Sequence, residues 1–131
     1  MNRLLVTAAI VAALGTAASN AQGQDAQGKK LQTLTGLVTD SMCAQSHQAN
    51  IEHARGGSGR TMTEKECTVG CVARRGQKYV LVSGGKVYQI TNQDYAGLPV
   101  FAADTVTVTG TVTGTTITVS QMAAAAPAPK K

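Results

Sequence analysis

The sequence predicts a mainly β protein, a small antiparallel barrel of five strands with one inserted helix. Three observations support this fold class. Five segments alternate apolar and polar residues with the period of a half-buried strand. These segments are rich in valine and threonine, which β-sheets favour. A single stretch after the first segment carries helix signals at both of its ends. A two-layer α+β sandwich is the alternative interpretation.

The first strand is predicted to begin at Leu31. Leu34, Gly36 and Val38 alternate with threonine-rich positions, so that one face of the strand is apolar. Gly36 within this pattern indicates a bulge or a sharp bend. The strand is expected to end at Asp40, which we interpret as a turn residue.

The stretch from 42 to 60 is irregular and has room for only a short helix over 44–54. The Gly-Gly-Ser-Gly segment at 56–59 is expected to be a flexible break. A clearer helix follows it. Thr63 and Glu66 fit the capping-box pattern, as do Thr61 and Glu64 one step earlier. Two arginines near the end and a glycine just beyond them suit the C-terminus of this helix.

Four more strands are predicted in the second half of the chain, at residues 78–83, 86–90, 105–112 and 115–121. Gly84 and Gly85 suit a two-residue hairpin loop, because glycine tolerates the positive φ angles of such turns. Gly114 turns the chain between the last two strands. The segment 91–104 between the hairpins is expected to be a short helical turn or an ordered loop.

The order of strand, insertion, hairpin, connection and hairpin is compatible with an OB-like barrel. A barrel of this size is filled by its own side chains and encloses no ligand cavity. A function is therefore expected on the outside of the barrel or in the insertion, residues 40–76.

The N-terminus has the pattern of a secretory signal peptide over residues 1–21. One basic residue precedes an uncharged apolar run, and small residues follow at the expected cleavage site. The run is shorter than the roughly 20 residues of a membrane span, so no transmembrane segment is expected in the mature chain. Residues 22–30 are predicted to be a disordered leader, 31–121 the barrel domain and 122–131 a disordered tail. The predicted location is periplasmic or secreted.

All three cysteines and both histidines lie between Asp40 and Cys71, in the spacing C-x3-H-x5-H-x13-C-x3-C. One interpretation is a structural disulfide from Cys43 to Cys67 or to Cys71, since exported proteins meet oxidising conditions. A ring of this size stabilises a fold by about 3–4 kcal/mol. The odd number of cysteines leaves one thiol to be explained.

A second interpretation is a metal site formed by Cys43, His47, Cys67 and Cys71. This Cys3His set suits tetrahedral Zn²⁺, and its thiolates also suit Cu⁺. Cys67 and Cys71 are four residues apart, so a helix places both thiols on one face. His53 is an alternative to His47 as the imidazole ligand.

A third interpretation is a redox-active or nucleophilic thiol, Cys67 or Cys71. Such a thiol needs a lowered pKa, which nearby arginines or His47 would have to provide. The chain has no C-x-x-C motif to support this role.

Other classes of function find little support. The formal net charge of +5 is spread along the chain, so no nucleic-acid partner is expected. There is no paired-carboxylate pattern, G-x-S-x-G motif or phosphate-binding loop, and no enzyme is predicted. The leading hypothesis is an exported binding or scaffold domain stapled by a disulfide. A Zn²⁺- or Cu⁺-binding protein and a thiol redox protein are the alternatives.

From Thr35 to Val119 the sequence resembles a group of small exported bacterial proteins, known mostly as domains of unknown function. The resemblance rests on Gly36–Cys43, His47, the C-x3-C pair, Lys78–Val82, Gly85–Tyr88 and Val106–Val119. It implies an OB-like exported domain with Cys and His residues in its first loop, and it implies no activity. The Gly-Gly-Ser-Gly segment after His47 is an addition to the pattern.

Overall fold

A computed structural model describes residues 29–127 of the chain, in which five strands form a closed barrel. The elements in order are β1 (Lys30–Asp40), α1 (Gln48–Ser58), α2 (Glu64–Arg75), β2 (Tyr79–Ser83), β3 (Lys86–Ile90), α3 (Gly97–Val100), β4 (Thr105–Thr113) and β5 (Thr116–Ala124). The signal peptide predicted for 1–21 and most of the predicted leader lie outside the described residues, as do residues 128–131.

The strands follow the order β1-β2-β3-β5-β4, and β4 pairs with β1 to close the ring. Every pair is antiparallel except β3 with β5, which run parallel. The predicted small five-stranded barrel is confirmed, with the correction that this one pair is parallel rather than antiparallel. The reason is geometric, because strand directions cannot alternate throughout a closed ring of five. The mixed barrel is consistent with the predicted small OB-like fold.

The alternation of the strands confirms the predicted core. Val106 and Val108 of β4 are fully buried, whereas the threonines that alternate with them are half-buried or exposed. Leu81 of β2 and Ile117 of β5 are also fully buried and belong to the same apolar cluster. This burial of apolar side chains is the main source of stability for a small barrel.

The glycines of the predicted hairpin turn adopt the positive φ angles that the turn requires. Gly84 and Gly85 have φ angles of 56° and 75°, both in the left-handed region that a two-residue hairpin turn requires. Gly110 lies beside a shift in the β4–β5 register. A Cβ atom there would meet the backbone carbonyl of Thr118, so the two strands approach closely only because this residue is glycine.

The connection between β3 and β4 covers one end of the barrel. It contains α3, whose Leu98 is fully buried. The backbone of Val38 in β1 donates to Asp104 O at 3.1 Å and accepts from Ala103 N at 2.8 Å. These bonds join the connection to the first strand. Of the two predicted alternatives, a short helical turn or an ordered loop, the structure contains the helical turn.

The insertion between β1 and β2 contains two helices, α1 and α2, where the sequence predicted one helix and allowed a second, short one over 44–54. The helix α1 continues through Gly56 and Gly57, and it ends where Gly59, with φ 65°, donates its N–H to Arg55 O. The segment predicted as a flexible break is thus the last turn of a helix. Glycine lowers helix stability but does not prevent helix formation.

The helix α2 follows the sequence prediction closely. Thr63 is its N-cap, with a complete capping box to Glu66, and Gly76 ends it in the left-handed conformation. Strand β5 extends to Ala124, so residues 122–124, assigned to the tail from sequence, belong to the barrel. Their backbones pair with β4, where Val106 lies opposite Ala124. Within residues 29–127, no helix has the length and hydropathy needed to cross a membrane.

Candidate metal site

The turn after β1 positions Cys43. Asp40, the last residue of the strand, is fully buried. Its Oδ1 accepts the backbone N–H groups of Met42 at 3.1 Å and Cys43 at 3.0 Å. The N–H of Ala44 bonds to the Asp40 carbonyl at 2.8 Å. The carboxylate therefore fixes the conformation of the turn that carries the first thiol.

His47 precedes α1 at the N-cap position, yet its side chain makes no cap bond. It points into the protein and is only 3% exposed. Its Nε2 lies 3.1 Å from Asp40 Oδ2, 3.1 Å from Thr39 Oγ1 and 2.9 Å from Thr68 Oγ1. All the hydrogen-bond contacts of the ring found within residues 29–127 are thus at Nε2.

This pattern of contacts assigns the two nitrogens of the ring. An ionised carboxylate only accepts hydrogen bonds, so Nε2 carries the hydrogen that Asp40 accepts. In the neutral imidazole, Nδ1 then keeps its lone pair. A histidine held in this way by a carboxylate is the usual arrangement of a metal ligand.

The helix α2 supplies the other two thiols. Its buried residues are Cys67, Thr68 and Cys71, which form one face of the helix toward β1 and the turn. The capping box at Thr63 fixes where the helix begins and so fixes the positions of both thiols. From the opposite side, Asn50 of α1 donates its Nδ2–H to Cys43 Sγ at 2.9 Å.

The structure places the four residues predicted as metal ligands in two groups that share Cys43. The ligand atoms of Cys43, His47 and Cys67 all lie within 4.8 Å of one another. Those of Asp40, Cys43 and Cys71 form a second such group. Because Cys43 belongs to both, we call Cys43, His47, Cys67 and Cys71 the thiol–imidazole cluster. His53, the alternative imidazole, is exposed and belongs to neither group.

Burial shifts the pKa of two thiols upward. It raises the pKa of Cys67 from 9.0 to about 12, and the nearby sulfurs of Cys43 and Cys71 add to the effect. Burial also raises the pKa of Cys43, although the hydrogen bond from Asn50 opposes the shift. Without a metal both thiols are protonated at neutral pH. A redox or nucleophilic thiol needs the opposite shift, so the geometry does not favour that role for Cys67.

The cysteines are free thiols in the structure, with no sulfur pair at bonding distance. The disulfide from Cys43 to Cys67 or Cys71 therefore stays a prediction. The two possible partners lie within 4.8 Å of Cys43 through the two groups described above.

Sequence reasoning missed three residues of the site, namely Thr39, Asp40 and Thr68. Asp40 was interpreted as a turn residue, which is correct for Oδ1 but not for Oδ2, the oxygen that contacts His47. The sequence held one indication that Thr68 belongs to the site, because Thr68 follows Cys67 and lies on the same helix as both thiols. At the end of β1 the alternation of buried and exposed residues stops, and three consecutive residues are buried. Thr39 is one of them, so the alternating pattern could not predict its burial.

A comparison of the chain with protein-family models, with curated proteins and with solved structures gives no match in any of the three. The function must therefore be argued from the geometry of the thiol–imidazole cluster.

Proposed function

We propose that this protein binds one thiophilic metal ion, Zn²⁺ or Cu⁺, through the thiol–imidazole cluster. The observation that supports the proposal is that donor atoms from distant parts of the chain lie close together. Two distant segments of the chain, the turn after β1 and the helix α2, bring three sulfurs and one imidazole into two groups of donor atoms that share Cys43. The set Cys3His is a common ligand set for structural Zn²⁺, and thiolates also select Cu⁺.

The distances support this ligand set. A Zn–S bond is about 2.3 Å long, so two sulfurs of a tetrahedral site lie about 3.8 Å apart. The donor atoms of Cys43, His47 and Cys67 lie within 4.8 Å of one another, and the sulfur of Cys71 lies within 4.8 Å of that of Cys43. Side-chain rotations that bring the Cys71 sulfur toward Cys67 and His47 would complete the coordination.

The surroundings of His47 support it further. Asp40 Oδ2 contacts Nε2, so the ring would bind the ion through Nδ1, and two threonine hydroxyls contact the same Nε2 in a buried setting. Groups in this position orient the ligand and raise its basicity.

The role we propose is non-enzymatic binding in an exported domain. The export is inferred from the signal-peptide pattern and the resemblance described above. In an oxidising compartment the competing state is the predicted disulfide, in which Cys43 pairs with Cys67 or Cys71 and stabilises a scaffold domain. Metal and disulfide exclude each other because both use the sulfur of Cys43.

Metal titration of the reduced protein tests the proposal. Native mass spectrometry after anaerobic addition of Zn²⁺ or Cu⁺ should show one ion per chain. The variant Cys43→Ser should lose the ion, and His47→Ala should bind it much more weakly. His53→Ala is the matched control and should bind like the parent. A parent that binds neither ion, and that forms one disulfide on exposure to air, would contradict the metal proposal and support the scaffold.

A further inference from the structure

A pocket between α1 and α2 leads from the surface to the thiol–imidazole cluster. Its volume is about 120 Å³, which is room for several water molecules. Cys67 and Cys71 form part of its wall, whereas Cys43 and His47 do not. A small species that enters here therefore meets the two thiols of α2 before it reaches the other two ligands.

The remaining wall of this pocket carries further donor atoms. His53 contributes an imidazole, Met62 a thioether and Glu66 a carboxylate. Glu66 already uses Oε2 for the capping box, with Thr63 N at 2.8 Å and Thr63 Oγ1 at 3.0 Å. His53 and Met62 belong to no cluster described above, and a thioether is not among the usual protein ligands of Zn²⁺. Thioether sulfur instead selects Cu⁺.

We propose that the pocket is the route by which Cu⁺ enters, and that His53 and Met62 bind the ion in transit to Cys67 and Cys71. This inference rests on the proposed function and narrows it from Zn²⁺ or Cu⁺ to Cu⁺. Copper stays in the Cu⁺ state throughout. Each Cu–S bond to a cysteine forms as the thiol proton leaves to the solvent, while the bonds to His53 and Met62 break.

The charges of the pocket indicate how the ion arrives. Arg74 and Arg75 also line it, and the Arg74 guanidinium lies against Gly70 on the wall of the pocket. Two positive charges repel a bare cation but attract an anionic complex. A negatively charged Cu⁺ complex is therefore the suitable donor.

The rate of copper transfer tests the route. The donor is Cu⁺ held by two bicinchoninate anions, which is coloured, and anaerobic stopped-flow absorbance follows its loss. The double variant His53→Gln, Met62→Leu should load and release Cu⁺ at least tenfold more slowly than the parent. Its equilibrium affinity for Cu⁺ should stay within twofold, because a transit site changes both rates equally. Met42→Leu is the matched control, since this thioether is adjacent to Cys43 but lies outside the pocket wall.

The other outcomes overturn the inference in distinguishable ways. Unchanged rates in the double variant would show that Cu⁺ enters elsewhere. A loss of affinity together with faster release would show that His53 and Met62 are resident ligands. Slower transfer in Met42→Leu of the same size would show that any thioether near the cluster matters, so that the pocket is not the route. A parent that binds Zn²⁺ but not Cu⁺ would end this inference and leave the proposed function standing.

Discussion

The barrel and the insertion are held together by different interactions. In the barrel, apolar side chains such as Leu81, Val108 and Ile117 are fully buried. In the insertion, α1 has no buried residue, and the buried side chains of α2 are Cys67, Thr68 and Cys71. The barrel therefore has a hydrophobic core of its own, whereas the insertion is organised around polar and sulfur-bearing groups. This difference indicates that a bound ion should stabilise the insertion far more than the barrel.

The largest expected effect is on the free energy of unfolding, and it tests whether the barrel has its own hydrophobic core. Replacing Leu81 by Ala removes a fully buried side chain, which should cost about 2–5 kcal/mol in the free energy of unfolding. Urea denaturation measures the loss. The control is Leu31→Ala, because Leu31 is 67% exposed and should change stability by less than about 0.5 kcal/mol. Equal losses in the two variants would contradict the assigned core.

The next largest effect is on metal affinity, and it concerns the contact between Asp40 and His47. In Asp40→Asn the Oδ1 acceptor for the turn is kept, but the carboxylate oxygen that faces Nε2 is lost. Metal affinity should fall about 10–100-fold, which corresponds to about 1.4–2.8 kcal/mol. Competition with a chelator of known affinity measures it. Asp104→Asn is the control, since that carboxylate is exposed and lies 4.0 Å from Lys65. If Asp40→Asn binds metal like the parent, Asp40 does not support the ligand.

A pH effect separates the metal-free insertion from the barrel. The pKa of Cys67 is raised from 9.0 to about 12, so the folded state resists ionisation of a thiol that ionises in the unfolded chain. Stability is therefore fully present below pH 9.0 and is lost as the pH rises toward about 12. Denaturation midpoints of the metal-free protein between pH 8 and 11 should fall more steeply in the parent than in Cys67→Ala. Parallel profiles would contradict the buried, protonated thiol.

The smallest effect concerns the start of α2. Two capping boxes fit the sequence, and the structure forms the one at Thr63. Thr63→Ala should destabilise the helix by about 1 kcal/mol. Hydrogen exchange of α2 amides measures the local loss. Thr61→Ala is the matched control and should leave exchange unchanged, whereas a larger effect there would mean that the helix begins earlier.

Local patterns predicted much of the fold, because they depend on nearby residues alone. The valine–threonine alternation at 105–112 predicted a half-buried strand, which matches the burial of Val106 and Val108, and the Thr63-x-x-Glu66 spacing identified the start of α2. The parallel pairing of β3 with β5 joins strands far apart in sequence, so no local sequence pattern predicts it. It follows instead from closing an odd number of strands into a ring.

The sequence predicted the ligands of the candidate site, but it did not predict the residues that form hydrogen bonds with His47. Cysteine and histidine are the usual ligands of Zn²⁺, and the spacing of Cys67 and Cys71 placed two thiols on one helix face. Aspartate and threonine are common in turns and strands, so Asp40 and Thr68 did not stand out. Their role depends on the burial of His47 between β1 and α2, which is a tertiary contact.

The central claim is that the thiol–imidazole cluster binds a metal ion, and X-ray absorption spectroscopy of the loaded protein tests it most directly. For Zn²⁺ the first shell should contain three sulfurs at about 2.3 Å and one nitrogen at about 2.0–2.1 Å. The nitrogen should be absent from the shell in His47→Ala. A first shell made of oxygen and nitrogen alone would contradict the account, because the ion would then be bound away from the cysteines.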